Sequence, residues 1–231
     1  MKKQLMAAIA MFSIAMPAMA GPRANKVEPA TRATLQQNMP QDVVMQKVAW
    51  LQTGWAQAIY RSSRKAAKLG ALHKLERQAA KLTAAHRARA EPKIWQAIIL
   101  STDAGISGGF SALGKVKKAR QLLLSSIRID PRALKGSALT SLGSLYYQVP
   151  GWPIGFGDNA LAEKYLKRAL RINPHGIDAN YFYGDYLLQR GRKREAKNYL
   201  RRALNAPSRP NRPVADAGRR REIKTKLRQL R

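Results

Sequence analysis

The nine residues from 162 to 170 read AEKYLKRAL, and 34 positions later residues 196–204 read AKNYLRRAL. Six of the nine positions are identical, and the alanines and leucines in each copy recur at steps of three and four. That spacing is typical of a helix with one buried face. Pro174 follows the first copy and stops its helix, because proline lacks the N–H that the helix needs. The sequence therefore predicts a pair of helices that is repeated along the chain.

The segments around these copies repeat as well. Leu142-Gly143-Ser144 aligns with Tyr183-Gly184-Asp185, and an earlier copy of the second helix lies between Ala119 and Pro131. A period of 34 is typical of the tetratricopeptide repeat (TPR), in which each unit is a helical hairpin. The glycines and alanines of the pattern are expected where helices cross, since only small side chains fit there. We therefore predict an all-α fold, a TPR-type helical-hairpin solenoid with about three units over residues 93–208.

An N-terminal helical pair is predicted before the repeats, over residues 42–92, and Asp42 is expected to cap its first helix. Apolar residues at helical spacing mark both helices: Val44, Val48, Leu51, Trp55 and Ile59, then Leu69, Leu72, Leu75, Ala79, Leu82 and Ala85. The second helix is basic on its polar faces. Such a helix can lie on an anionic membrane surface, but its leucine and alanine face favours packing against the neighbouring helices.

Two segments interrupt the period and are predicted to be loop insertions. Residues 149–158 hold two prolines and three glycines, which disfavour helix, and Asp158 is expected to cap the next helix. Trp152 and Phe156 in this loop either pack back onto the helices or form part of a ligand site. Residues 103–114 are also rich in glycine and are predicted to be a flexible lid or a plain connector. They lack the G-K-[ST] ending of a phosphate-binding loop.

The N-terminus has the pattern of a cleaved signal peptide over residues 1–20. Lys2 and Lys3 precede an apolar run, and Ala18-Met19-Ala20 is a cleavage motif. Residues 21–41, with three prolines and no regular apolar spacing, are predicted to be an extended leader. We therefore expect a protein that is exported to the periplasm and carries no transmembrane segment in its mature form.

The composition excludes several kinds of chemistry. Lys and Arg number 43 against 13 Asp and Glu, the net charge is +30, and the chain has no Cys and three His. Without Cys there is no disulfide, thiolate nucleophile or Cys-ligated zinc, and no metal site or cofactor is expected. No catalytic motif of the usual hydrolase, metalloprotease or nucleotide-binding kinds occurs. We therefore expect a non-catalytic binding protein.

The candidate binding residues lie on the first helix of each repeat, because these helices line the concave face of such a solenoid. Eight residues are expected there by register: Thr140, Ser144, Tyr147, Gln148, Asp178, Tyr181, Asp185 and Gln189. With the loop aromatics Trp152 and Phe156 they suit an extended peptide or a small ligand. The alternatives are that they are simply solvated, or that the N-terminal helices cover them.

Residues 209–231 are predicted to form a basic capping helix and tail. Ile223, Leu227 and Leu230 give this helix an apolar edge that suits the end of a solenoid, and its basic residues are expected to face solvent. So basic a chain would bind nucleic acid through phosphates, but export removes that partner. Anionic envelope surfaces and acidic proteins are the partners that remain.

Several short motifs, among them Pro150-Gly151-Trp152-Pro153 and Phe156-Gly157-Asp158, resemble those of exported bacterial TPR proteins of uncharacterised role. The chain is more distantly similar to the TPR component associated with tripartite (TRAP-type) transporters. The resemblance covers about residues 114–227, and it implies a periplasmic, all-helical, non-catalytic scaffold. The expected function is protein–protein interaction in envelope assembly or a transport complex. The alternatives are a small-molecule or peptide binding module that serves a transporter, and a basic anchor to anionic envelope surfaces.

Overall fold

A computed structural model describes residues 42–230, apart from the side chain of Phe110. That part of the chain is all-α and contains nine helices and no strand. The helices are α1 (Val43–Tyr60), α2 (Lys65–Ala85), α3 (Ala90–Ser107), α4 (Gly109–Ile129), α5 (Ala133–Gln148), α6 (Asn159–Ile172), α7 (Ile177–Gln189), α8 (Lys193–Leu204) and α9 (Pro213–Arg228). Within residues 42–230, every helix is too short or too polar to cross a membrane. The predicted signal peptide (1–20) and leader (21–41) lie outside the described residues.

The repeat units are the hairpins α3/α4, α5/α6 and α7/α8, whose two helices pack closely against each other. Six of the repeated alanines and leucines of the second helices are fully buried in the core: Ala119, Leu123, Ala162, Leu166, Ala196 and Leu200. A Cβ added to Gly143 would lie 2.7 Å from Leu166 Cγ, and one added to Gly184 would lie 3.0 Å from Leu200 Cγ. The predicted close crossings at these glycines, and the all-α solenoid itself, are therefore confirmed.

Both predicted aspartate caps are confirmed. Asp42 Oδ1 accepts hydrogen bonds from the backbone N–H groups of Val44 (3.0 Å) and Met45 (3.2 Å) at the start of α1. Asp158 Oδ1 accepts one from Leu161 N (2.9 Å) at the start of α6. Each carboxylate satisfies N–H groups that have no partner within the helix.

The loop insertion predicted at residues 103–114 is wrong, because this segment is helical except at Gly108. Helix α3 continues to Ser107 and α4 begins at Gly109, and Gly108 has a φ of 69° that turns the chain between them. Lys115 Nζ pairs with the buried Asp103 carboxylate at 2.7 Å across the hairpin. A glycine in a helix costs about 1 kcal/mol relative to alanine, and the packing of α3 on α4 offsets that cost. The segment is therefore neither a lid nor a loop.

The flanking helices pack onto the repeats. Helices α1 and α2 bury their predicted apolar stripes against each other and against α3, where the Trp55 and Trp95 rings meet edge to face at 6.0 Å. Helix α2 ends at Ala85, before the end of the predicted helical pair at residue 92, and α3 begins at Ala90. Helix α9 buries Ile223 against α7 and α8. The apolar face of α2 is therefore used for packing, as the sequence favours.

Candidate functional site

The first helices of the three units, α3, α5 and α7, face a concave side that α1 and α9 border. Helix α9 packs on α1 as well as on α7 and α8, so the first and last helices of the described chain meet. At their contact the Tyr60 ring lies against Gly218, where an added Cβ would overlap the ring. Only glycine allows this approach, which draws the two helices together beside the concave side.

A pocket of about 680 Å³ occupies this concave side. Most of its wall is apolar and comes from helices α1, α3 and α4, chiefly Trp55, Trp95, Ile98, Ile106, Leu113 and Val116. The loop at 149–158 adds Val149, Pro150 and Ile154. The volume falls within the range of about 300–1,000 Å³ that is usual for small-molecule sites, which are mostly apolar with a few placed polar groups.

Four charged residues line the pocket, and they stand together: Arg209, Arg212, Arg219 and Asp178. Asp178 Oδ2 accepts from Arg209 Nη1 at 2.8 Å, and its Oδ1 accepts from Arg219 Nε at 3.0 Å. Burial raises the pKa of Asp178, but the positive charges of Arg219, Arg209 and Arg212 outweigh it and hold the pKa well below its usual range. Asp178 is therefore a fixed carboxylate that holds two arginines at the pocket wall.

Four of the sequence-predicted site residues line this pocket. Thr140, Ser144 and Gln148 reach it from α5, and Asp178 reaches it from α7. Thr140 donates to the Gly136 carbonyl at 3.4 Å. The hydroxyl of Ser144 has no hydrogen bond to the described residues and remains available. These side chains supply a polar strip along an otherwise apolar wall.

Of the other four concave-face candidates, α9 contacts Tyr181 and Asp185, whereas Tyr147 and the exposed Gln189 bond to Asp185. The Tyr147 hydroxyl donates to Asp185 Oδ2 at 2.8 Å, and Lys226 Nζ of α9 pairs with Asp185 Oδ1 at 2.6 Å. Gln189 donates to the same carboxylate at 3.4 Å, and the Arg219 guanidinium covers the Tyr181 ring at 4.2 Å. Burial, reinforced by the charge of Asp185, raises the pKa of Tyr147 well above its ordinary value. The C-terminal helix, rather than the N-terminal pair, therefore covers this part of the concave face.

The two loop aromatics take different positions. Phe156 packs back onto the helices, with its ring 5.7 Å from that of Tyr146 and the Arg120 guanidinium 5.0 Å above it. Trp152 is 91% exposed and does not line the concave pocket. Backbone hydrogen bonds from Gly157 N to Pro150 O (2.9 Å) and from Asp158 N to Tyr146 O (2.8 Å) close the loop. Among the large side chains of loop residues 152–156, only that of Ile154 lines the concave pocket.

The expectation that the basic residues of α9 face solvent is wrong for three of them. Arg220 is 25% exposed, lies 4.0 Å from Asp216 and donates to the Ala206 carbonyl at 2.7 Å. Arg219 is only 12% exposed and pairs with Asp178 and Glu222, and Lys226 pairs with Asp185. The two carboxylates of α7 supply the partners that make this burial possible. Arg221, Lys224 and Arg228 of the same helix are exposed, as the sequence predicts.

Sequence reasoning missed the aromatic and cationic parts of the pocket. Trp55 was recognised only as a member of an apolar stripe, and Trp95, Arg209 and Arg212 were not singled out. The sequence contains one signal for these contacts. Asp178 and Asp185 lie on the concave face of α7, and a strongly basic segment follows the last repeat. Complementary charges of this kind indicate that the tail folds onto that face.

Within residues 42–230, no cluster of three or more His, Asp or Glu residues is placed to hold a metal ion. No curated protein matches the chain in sequence. Residues 154–211, which run from the loop through α6, α7 and α8, match the tetratricopeptide repeat family. TPR units generally mediate protein–protein interaction and generally form non-catalytic scaffolds. The nine helices within residues 42–230 and this match together show that this part of the chain is an all-α, TPR-type helical solenoid.

Proposed function

We propose that this protein is a non-catalytic binding protein that takes a largely apolar ligand into its concave pocket and works in the periplasm. The observation that carries the proposal is the pocket of about 680 Å³, with its apolar wall and a single cluster of charges. A site of this size and composition suits a small molecule or a short apolar segment. Of the functions that the sequence suggests, the binding module agrees best with this geometry.

The cover formed by α9 favours a compact ligand over a long peptide. Tyr181 and Asp185 of the third unit are contacted by α9, and Tyr147 of the second unit bonds to Asp185, so the concave face does not run open along all three units. An extended peptide would need that continuous face. The pocket between α1, α3, α5 and α9 is what remains for a ligand.

The periplasmic part of the proposal is supported by the signal-peptide pattern of residues 1–20. Fractionation of cells that express the full chain, with N-terminal sequencing of the product, tests it. We expect a periplasmic protein that begins at Gly21. An uncleaved protein in the cytoplasm would contradict export.

A pocket-filling variant tests the binding site itself. Ser141 lines the pocket and is half-buried in α5, so Ser141→Phe places a ring inside the cavity. Ser125 is equally half-buried in α4 but does not line the pocket, and Ser125→Phe is the matched control. We expect Ser141→Phe to weaken the binding of an apolar fluorescent probe at least tenfold, and the control to leave it unchanged. Equal binding by both variants and the wild type would refute the pocket as the binding site.

A second candidate function, a protein-interaction scaffold, is favoured by two exposed tryptophans. Trp50 on α1 is 57% exposed and Trp152 is 91% exposed, and exposed aromatic side chains often mark protein interfaces. Pull-downs from periplasmic extract at low and high salt, with Trp50→Ala and Trp152→Ala beside the wild type, test it. A partner that survives high salt and is lost from one variant would support the scaffold. Material that high salt removes from all three proteins would indicate a basic anchor instead.

A further inference from the structure

Among the arginines of the pocket wall, Arg212 alone forms no ion pair with a described residue. It lies immediately before α9, and its guanidinium stands over the Trp95 ring at 5.1 Å. Its Nε is buried without a hydrogen-bond partner, and the side chain forms no hydrogen bond or ion pair with any described residue. The indole N–H of Trp95 is also buried and without an acceptor in this part of the chain. Two donors in one wall of the pocket thus lack acceptors.

Asp178 does not supply the missing acceptor, because it makes no hydrogen bond to Arg212 and directs its two oxygens at Arg209 and Arg219. Arg209 is held further by Asp216, and Arg219 by Glu222. Of the three arginines in the pocket lining, Arg212 is therefore the one that pairs with no carboxylate of the described residues. Arginine stays charged in proteins.

A buried charge without a partner is costly, as is a buried donor without an acceptor. Burial accordingly lowers the pKa of Arg212, although the charge of Asp178 opposes that effect. An anion that reaches the guanidinium of Arg212 from the pocket would compensate its charge, since the residue as a whole is only half-buried. The planar guanidinium fork matches a carboxylate better than any other common anion except phosphate.

The rest of the pocket wall indicates the chemistry of the remainder of such a ligand. Ile98, Ile106, Leu113 and Val116 present aliphatic surface. Within residues 42–230, no charged group lines the cavity away from the arginine cluster. Burying apolar surface there favours binding, whereas a second charge on the ligand would be desolvated without a partner. The complementary molecule has one anionic end and one apolar body.

We propose that the pocket binds a monoanionic amphiphile, a carboxylic acid with a long apolar chain, and that Arg212 is the residue that binds its carboxylate. This inference rests on the proposed ligand-binding function and names the ligand class of the same site. The apolar chain lies along α3 and α4, and the carboxylate meets the free edge of the Arg212 guanidinium.

The test is a binding series on the full chain, read by displacement of the fluorescent fatty acid cis-parinarate. Hexadecanoate is compared with its neutral counterpart hexadecanol and with hexadecyl phosphate, on the wild type, Arg212→Gln and Arg221→Gln. Arg221 lies exposed on the same α9 helix and does not line the pocket, so it is the matched control. We expect hexadecanoate to bind the wild type at least tenfold more tightly than hexadecanol does. We expect Arg212→Gln to abolish that preference and Arg221→Gln to retain it.

The outcomes separate this inference from the function on which it rests. If hexadecanoate and hexadecanol bind the wild type equally, the pocket is an apolar site and the role of Arg212 is refuted. If none of the three compounds binds, the proposed pocket function fails as well. If hexadecyl phosphate binds more tightly than hexadecanoate, the proposed carboxylic acid is refuted and the anionic group of the ligand is a phosphate.

A thermal-unfolding measurement distinguishes a residue that binds the ligand from one that stabilises the fold. Because Arg212 forms no hydrogen bond or ion pair with the described residues and its buried charge is costly, Arg212→Gln should not lower the melting temperature of the ligand-free chain, even though the contact with the Trp95 ring is lost. The same variant should lose most of the stabilisation that hexadecanoate gives to the wild type, since a ligand stabilises only the state that binds it. A variant that melts much lower without ligand would show that Arg212 serves the fold.

Discussion

Helices α5 and α7 are the first helices of successive repeats, yet aligned residues on their concave faces differ in whether other side chains bind them. On α5, Ser144 has no hydrogen bond to the described residues and lines the pocket. On α7, the aligned Asp185 is fixed by Tyr147 and by Lys226 of the last helix. The difference comes from α9, which packs on α7 and leaves α5 open.

This contrast shows what the repeat determines and what it does not. The 34-residue period places polar side chains of both helices on the concave side. Whether they are available depends on α9, which is outside the repeats and is held by the ion pairs of Asp178 and Asp185. A capping helix is usually a device for solubility at the end of a solenoid, and here it also limits the binding surface to one pocket.

Removal of the Asp178 charge should have the largest effect on this arrangement. Asp178→Asn leaves Arg219, which is 12% exposed, and Arg209 without the carboxylate that joins them. Breaking a buried ion pair by removing one partner costs about 3 kcal/mol or more. We expect urea denaturation to show a loss of about 3 kcal/mol in the free energy of unfolding.

The matched control is Glu195→Gln, which breaks an exposed pair with Arg192 in the same repeat. Exposed pairs contribute little, so the control should unfold like the wild type. Equal losses in the two variants would show that the Asp178 cluster does not hold α9.

Closing the gap between α9 and α1 should have the next largest effect. Gly218→Ala introduces a Cβ that overlaps the Tyr60 ring, and such overpacking costs about 2 kcal/mol. Gly70→Ala is the control, because a Cβ at Gly70 on α2 meets nothing within 4 Å. We expect the first variant to lower the free energy of unfolding and to speed probe dissociation from the pocket. The control should be neutral or stabilising, as alanine is the better helix former. A stable Gly218→Ala protein with unchanged probe kinetics would show that α1 and α9 do not meet as described.

A pair of single-atom changes compares the two helices directly. Tyr147→Phe removes the hydroxyl that donates to Asp185, and the loss of one such hydrogen bond should cost about 1 kcal/mol. Ser144→Ala on α5 removes a hydroxyl that bonds to no described residue, so the free energy of unfolding should hardly change. Chemical denaturation of both variants measures the contrast. A larger cost for Ser144→Ala than for Tyr147→Phe would reverse the proposed difference.

The pH dependence of stability should sharpen the role of Asp178. Its pKa is lowered in the folded protein, so its stabilisation is complete above the unfolded pKa of about 3.9 and is lost as the pH falls below that value. The stability difference between the wild type and Asp178→Asn should therefore narrow by about 1 kcal/mol at pH 3. Urea titrations from neutral pH to about pH 2.5 measure it. A difference that stays constant over this range would show that the Asp178 pKa is not lowered.

Most of the fold followed from local signals in the sequence. The repeated alanines and leucines gave the buried faces of α4, α6 and α8, and Asp42 and Asp158 gave two helix starts. The segment at 103–114 was misjudged because its glycines have low helix propensity, which the packing of α3 against α4 and the Asp103–Lys115 pair override. Local propensity could not reveal that contact.

The site was predictable only in part, for a related reason. Register placed Thr140, Ser144 and Gln148 on the concave side, because it depends on helical spacing alone. The cover over Tyr181, and the place of Arg212 above Trp95, depend on contacts between segments far apart in the chain. Such contacts follow no period, so a single sequence carries no direct signal for them.

The most direct measurement of where the ligand binds is photo-crosslinking of the full chain with a hexadecanoate analogue that carries a diazirine on its chain. Peptide mass spectrometry then locates the labelled residues, with excess unlabelled hexadecanoate as the competitor. We predict competed labels on the pocket-lining residues of α3, α4 and α5, and their loss in Ser141→Phe. Labels confined to the exposed Trp152 loop or to the Trp50 face of α1, and unchanged in that variant, would contradict ligand binding in the concave pocket.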